Sequence, residues 1–352
     1  MKIIHTADVH LASKIEAKLK KDKSDERKAE VRATFKGIVE YAKANGISVI
    51  MLAGDVFDSD RPLKKDKEFF YSVVKNNPSI DFLYLRGNHD NKESYIEKLD
   101  NLKTFSDEWT YYDYGEAVIC GVELSNENAS SIYSSLKLDK NRKNIVMLHG
   151  QVGDKSGADR INISKLRNKN INYLALGHIH SYSANKLDEG SVYVYCGCPE
   201  GRGFDELGEK GFVEVEIGKE ISHRFIPACK RKNEEIEIDV SSSTDPYTAY
   251  NIVRGNIKCG KDDLVRVVLT GRINYDGDGL AAEIEKHLAG AYYFVTVKDE
   301  TLRDYDLKEL EGDKSLRGEF IRLVYGDESI SADRKREIIS AGLKALDGKE
   351  EL

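Results

Sequence analysis

Disulfides, membrane spans and a surplus of positive charge are all missing from this chain of 352 residues, and each absence narrows what it does. Five cysteines in so long a sequence, an odd number, fit reduced thiols better than a disulfide framework. Cys196-Gly-Cys198 has no second cysteine pair at zinc spacing and lies in a strand-like run, so the pair reads as structural. No apolar run approaches the roughly 20 residues of a membrane span. Met1-Lys2-Ile3-Ile4 opens a strand without signal-peptide character, so the expectation is a cytoplasmic protein with no membrane partner. Internal repeats and low-complexity tracts are absent as well. The formal charge of −7 argues against a protein that coats nucleic acid unaided. It does not exclude one that cuts nucleic acid, because bound divalent ions invert the local potential and whole-chain charge hides patches. Lys64-Lys65-Asp66-Lys67 and Lys230-Arg231-Lys232 are the basic runs that could form such patches.

What is present describes an ordinary folded protein, with hydrophobic residues at 40% and charged residues at 33%. The length allows a large core and two domains. Lys2 to Ala7, Ser48 to Ala53 and Asp81 to Leu85 read as strands buried on both faces. Between them the spacing predicts helices over about Asp25 to Ala44 and over Glu68 to Lys75, which means crossover units and a parallel sheet. From Trp109 on, Tyr111-Tyr112, Ala117 to Leu124, Lys143 to Leu148, Tyr173 to Leu176, Ser191 to Tyr195, Phe212 to Ile217 and Ile221 to Ile226 supply a second set of strands. The aromatic cluster is read as sheet packing rather than a base-stacking platform. The predicted fold class is α/β (α+β), two packed sheets flanked by helices. Gly150 to Asn170 is the loop that could frame a site. A boundary is expected at Pro227 to Lys232, with a small α+β domain beyond it and a charged helical tail.

Five apolar runs end in the same kind of chemistry. They close at Asp8-Val9-His10, Gly54-Asp55, Gly87-Asn88-His89-Asp90, His149-Gly150 and Gly177-His178-Ile179-His180. In an open α/β sheet, ligands gather outside the carboxyl ends of the strands, so five segments should meet at one place. Imidazoles mixed with carboxylates and a carboxamide suit manganese, iron or zinc better than an all-oxygen cage does. That set is about right for two metals sharing a bridging carboxylate, the clamp used in phosphate-ester hydrolysis. His5, His223 and His287 fall outside these junctions and are read as core or surface residues.

The five junctions match, in order, the signature of calcineurin-like metallophosphoesterases over residues 1 to about 230. Within that superfamily, His5 to Leu11 and Ala53 to Pro62 resemble the SbcD-type DNA repair exonucleases. Tyr195 to Arg202, Phe204-Asp-Glu206 and Lys210-Gly211-Phe212 are similar to the same group. The resemblance implies a metallophosphoesterase nuclease domain over 1–229, a capping domain over 233–310 and a helical tail over 311–352. It implies one metal on Asp8, His10, Asp55 and His180, and another on Asp55, Asn88, His149 and His178, with Asp55 bridging. His89 would be the general acid for the leaving 3′ oxygen, Asp58 would orient the His89 imidazole, and Asp90 would either support the ligands from behind or be structural. Arg61 and Arg202 would bind substrate. The implied cofactors are two Mn²⁺ ions per chain, with Mg²⁺, Fe or Zn as alternatives. The implied partners are DNA, an SMC-type ATPase like SbcC and a second copy of the chain.

Three functions therefore stand open: a DNA exonuclease or endonuclease, a phosphodiesterase or phosphatase for small molecules or phosphoproteins, and a largely non-catalytic partner of the ATPase. The metal constellation alone cannot see the leaving group.

Overall fold

The computed structural model describes residues 1–11, 13, 15, 19–58, 62–90, 96–275, 277–303 and 314–346. The chain divides into two compact units, Met1–Lys232 and Asn233–Leu352. In the first unit the strands run β1 (Lys2–Thr6), β2 (Val49–Ala53), β3 (Asp81–Leu85), β4 (Leu102–Thr104), β5 (Thr110–Asp113), β6 (Ala117–Gly121) and β7 (Lys143–His149). They continue as β8 (Gln151–Gly153), β9 (Arg160–Asn162), β10 (Tyr173–Gly177), β11 (Ser183–Asp188), β12 (Ser191–Tyr195), β13 (Gly211–Ile217) and β14 (Ile221–Pro227). Helices α1 (Lys21–Ala44), α2 (Lys64–Lys75) and the single turn α3 (Ile132–Ser135) join them.

Two six-stranded mixed sheets result, ordered β14-β13-β1-β2-β3-β4 and β11-β12-β10-β7-β6-β5. Within them β1 to β4, and β6, β7, β10 and β12, are parallel neighbours, while antiparallel strands occupy the margins. The sandwich follows from the uninterrupted apolar runs. Along β2 the side chains alternate: Val49, Met51 and Ala53 enter the core shared with the second sheet, and Ile50 and Leu52 pack beneath the helices. The stripe of α1 at Val31, Phe35, Ile38, Val39 and Ala42 is buried there too.

Both long helices start about four residues before the apolar periodicity does, at Lys21 and Lys64. Their first turns are rich in lysine, which favours helix at exposed positions and leaves no hydrophobic mark. The stretch expected to be a loop, Gly150 to Asn170, contains the short parallel pair β8 and β9.

A buried ionic cluster locks α1 to the rest of the unit. Arg27, 0% exposed, pairs with Glu30 and Glu200 and donates to Gly201 O at 2.7 Å. Glu30 also pairs with Arg231 and Lys230, and Lys232 pairs with Glu209. The basic run 230–232 is therefore matched to carboxylates rather than held as an open patch. Arg27→Ala would leave the buried Glu200 carboxylate without its arginine and take one of three cations from Glu30. The expected loss is about 3–5 kcal/mol, read as a lower urea midpoint at nearly constant slope.

In the second unit β15 (Asn233–Asp239), β16 (Leu264–Thr270) and β18 (Phe294–Asp299) form a parallel three-stranded sheet. β17 (Arg272–Ile273) pairs with β19 (Leu302–Arg303). Helices α4 (Pro246–Asn256) and α5 (Leu280–Leu288) bury Ala249, Val253, Ile284 and Leu288 against the three-stranded sheet. The tail forms α6 (Leu316–Gly326) and α7 (Ala332–Leu346), which share a small core of Ile321, Ile339 and Leu343.

Candidate metal centre

The carboxyl ends of β1, β2, β3, β7 and β10 carry the five junctions, and the loops after them are zipped together. Asp8 N donates to Gly54 O and His10 N to Asp55 O, both at 3.0 Å. His178 N donates to both carboxylate oxygens of Asp8 at 3.0 Å, and His89 N to Asp55 Oδ1 at 2.9 Å. Such close approach demands glycine at the strand ends: a Cβ on Gly87 would fall 2.1 Å from Asp55 Oδ1, and one on Gly177 2.1 Å from Ala53 O. The backbone is strained where the chemistry sits. Of the six non-glycine residues with positive φ among the described residues, four are Asp8, His10, Asp55 and His178.

The donor atoms form two overlapping groups, Asp8 with His10 and His180, and Asp8 with Asp55 and His149, each within 4.8 Å. Asn88 Oδ1 joins the second, 2.9 Å from His149 Nε2 and 3.1 Å from His178 Nδ1. Asp8, His10, Asp55 and His149 form a buried floor, while Asn88 and His89 stand exposed at the rim.

Hydrogen bonding decides which nitrogens face the site. His149 Nδ1 lies 2.9 Å from Ala53 O, an acceptor only, so that nitrogen carries the proton. Its Nε2 faces Asn88 Oδ1 at 2.9 Å and Asp55 Oδ2 at 3.2 Å, two acceptors that call for a proton or a metal ion on that nitrogen. His180 Nδ1 lies 2.6 Å from Glu206 Oε1, which places a proton there and turns Nε2 into the site. That Nε2 faces His10 Nε2 at 3.1 Å. Nitrogens and oxygens aimed at one another in this way need a cation among them, a proton or a metal ion. A divalent ion fits the donor set.

Without an ion, protons on the rings supply the positive charge that the carboxylates call for. Burial raises Asp8 above the usual carboxylate range against the pull of three histidines. Burial would raise Asp55 as well, but His149 and then His10 hold it well below that range. Burial also opposes charge on His149, yet Asp55 and Asp8 outweigh it and push the ring up to about 9. Asp90 is pushed up to about 7, first by burial and then by the charge of Asp55. Its carboxylate accepts from Phe57 N at 3.0 Å and Gly87 N at 3.1 Å, tying the loops after β2 and β3 together.

Two side chains have partners other than those the resemblance implies. Asp58 Oδ1 contacts His10 Nδ1 at 3.0 Å, not the His89 ring, because the loop after β2 runs alongside the loop after β1. The His89 ring instead packs edge-on against His10 at 5.4 Å between centroids. Arg202 is not held out for substrate: its guanidinium, 12% exposed, donates to Glu206 Oε1 at 2.6 Å and Asp58 Oδ1 at 2.7 Å. Arg61 lies outside the described residues. Glu206 was missed as a site residue, although Phe204-Asp-Glu206 stood out as a motif; only the fold brings it to His180. His5 is a core residue bonded to the Tyr173 hydroxyl at 2.9 Å, and burial pulls it down to about 3.

Comparison with known proteins follows the same line. Over 370 residues the chain is 24% identical to the DNA double-strand break repair protein Mre11 of Saccharolobus solfataricus, covering 96% of this chain and 93% of that protein. Identity is 28% to Mre11 of Sulfurisphaera tokodaii, over 62% of this chain and 60% of that protein's length. One component of nuclease SbcCD of Escherichia coli K12 is 30% identical over 102 residues, 28% of this chain and 24% of that protein. Residues 1–182 match the calcineurin-like phosphoesterase model, more than half of the 352 residues and all five junctions. This chain belongs to the calcineurin-like phosphoesterase family.

Proposed function

We propose that this protein is a Mn²⁺-dependent DNA exonuclease or endonuclease of double-strand-break repair, working as a dimer with an SMC-type ATPase. The observation that carries the proposal is the gathering of imidazole nitrogens, carboxylate oxygens and the Asn88 amide oxygen at the mouth of two mixed sheets. Likeness to Mre11 over nearly the whole chain points to DNA. When bound, two divalent ions would activate a water and hold the phosphate oxygens.

The chain's residues divide that work. Asp8, His10, Asp55 and His180 hold one ion, and Asp55, Asn88, His149 and His178 the other. The resemblance makes Asp55 the bridge, and Asp8, common to both groups of donors, sits beside it. His89 needs neither ion; exposed at the rim beside His10, it is free to give a proton to the departing 3′ oxygen.

The test is purified protein with Mn²⁺, Mg²⁺ or chelator, offered end-labelled single- and double-stranded DNA, a chromogenic phosphodiester and a phosphomonoester. Cleavage of DNA that Mn²⁺ supports better than Mg²⁺ and that chelation abolishes is the expected result. Turnover of the small esters alone would move the assignment to a small-molecule phosphodiesterase or phosphatase. No turnover of any of them would leave a structural partner of the ATPase. DNA binding by the isolated chain should be weak, since its charge is −7 and the run 230–232 is paired. Raising salt from 50 to 200 mM should weaken it about tenfold or more, as read by fluorescence anisotropy.

A further inference from the structure

Behind His10 and His180 lies a charged cluster to which the proposed reaction gives no part. Glu206, 2% exposed, receives the His180 Nδ1 proton at 2.6 Å. Arg202 donates to the same oxygen from Nε at 2.9 Å and Nη2 at 2.6 Å, and its backbone N donates to Glu206 Oε2 at 2.7 Å. From Nη1 the guanidinium reaches the other way, to Asp58 Oδ1 at 2.7 Å and Ser13 Oγ at 3.1 Å. One planar cation thus holds both carboxylates that stand behind two neighbouring imidazoles. Arg202 Nη2 also lies 3.3 Å from His180 Nδ1. At that nitrogen the shorter contact to a carboxylate oxygen decides in favour of a proton, and two donors cannot bond to each other.

We infer that Arg202 is a positioning residue which, through Glu206, keeps a proton on His180 Nδ1 and Nε2 turned toward His10, while its hold on Asp58 fixes the carboxylate beside His10. It thereby tunes the affinity for the one ion that these two histidines share. The inference rests on the metal-centre reading above. It also concerns the ring and not the loop, because the His180 backbone is pinned separately. His180 O accepts from the Lys210 ammonium at 2.9 Å and from Cys198 N at 3.4 Å. Loss of Arg202 should free the carboxylates and the imidazole tautomers while this backbone stays in place. Lysine is no substitute, since a point charge cannot hold two carboxylates in a planar fork.

Full-length protein, stripped of metal and ¹⁵N-labelled at histidine, allows the tautomers to be read directly by NMR. In the wild type His180 should show Nδ1–H. In Arg202→Lys and Glu206→Gln it should lose that signature while the remaining spectrum is kept. Calorimetric titration with Mn²⁺ should then show one of two ions bound about 10–100-fold more weakly, with the other unchanged. Unchanged tautomers, or equal weakening of both ions, would overturn the role of Arg202. Glu206→Gln guards against a folding defect peculiar to Arg202→Lys, because it removes the charge and keeps the side chain's shape. Wild-type protein that takes up no Mn²⁺ would overturn the metal reading itself, a failure distinct from unaltered tautomers in the variants.

Discussion

Asp55→Ala should strip both divalent ions from the protein and lower DNA cleavage by about 10³–10⁴, the several kcal/mol that metal ions supply at about 1.4 kcal/mol per factor of ten. Asp55 is 1% exposed, lies 3.2 Å from His149 Nε2 through Oδ2 and takes the His89 backbone proton through Oδ1. His149 and His10 both draw its charge out against the cost of burial. No half-site can replace a carboxylate that serves two ions. Metal analysis by mass spectrometry on the dialysed variant is the check. Two tightly bound ions in Asp55→Ala would contradict the bridge, and one retained ion would make Asp8 the shared ligand instead. The loss should not come from unfolding, because the strands leading into the site keep their cores.

His89→Ala separates proton chemistry from metal chemistry. The variant keeps the backbone N–H that bonds to Asp55, and loses a ring that contacts His10 only edge-on. Both ions should stay, and DNA cleavage should slow by about 10²–10⁴, the usual worth of a placed general acid. A diester with a good phenolate leaving group needs little protonation and should be slowed far less. Equal slowing of both substrates, or loss of an ion, would remove His89 from this role. Asp58 belongs on the other side of the division. Standing behind His10, Asp58→Ala should weaken metal binding and slow both substrates alike.

Much of the site was legible because its residues follow apolar runs directly. Asp8, Asp55, Asn88, His149, His178 and His180 each fall within three residues of a strand end, and parallel strands bring such ends together. The two-sheet fold was readable from the same runs, since continuous apolar strands need cover on both faces. Polar edge strands were not. Ser183–Asp188 is mostly exposed and pairs on one side only, so alternation leaves no trace in SANKLD. The pairings behind the histidines were illegible for another reason. His180 meets Glu206 and Asp58 meets Arg202 across 26 and 144 positions of sequence, and no local pattern encodes such a partner. Asp58 was assigned to His89 by resemblance; the contact between the loops after β1 and β2 turned it to His10 instead.

The central claim is that these junctions form one centre for two ions, and anomalous diffraction from crystals grown with Mn²⁺ tests it most directly. Two manganese peaks about 3.5–4 Å apart are expected, one against the Nε2 atoms of His10 and His180, the other against His149 Nε2 and Asn88 Oδ1. A single peak, or none among these residues at saturating Mn²⁺, would contradict it.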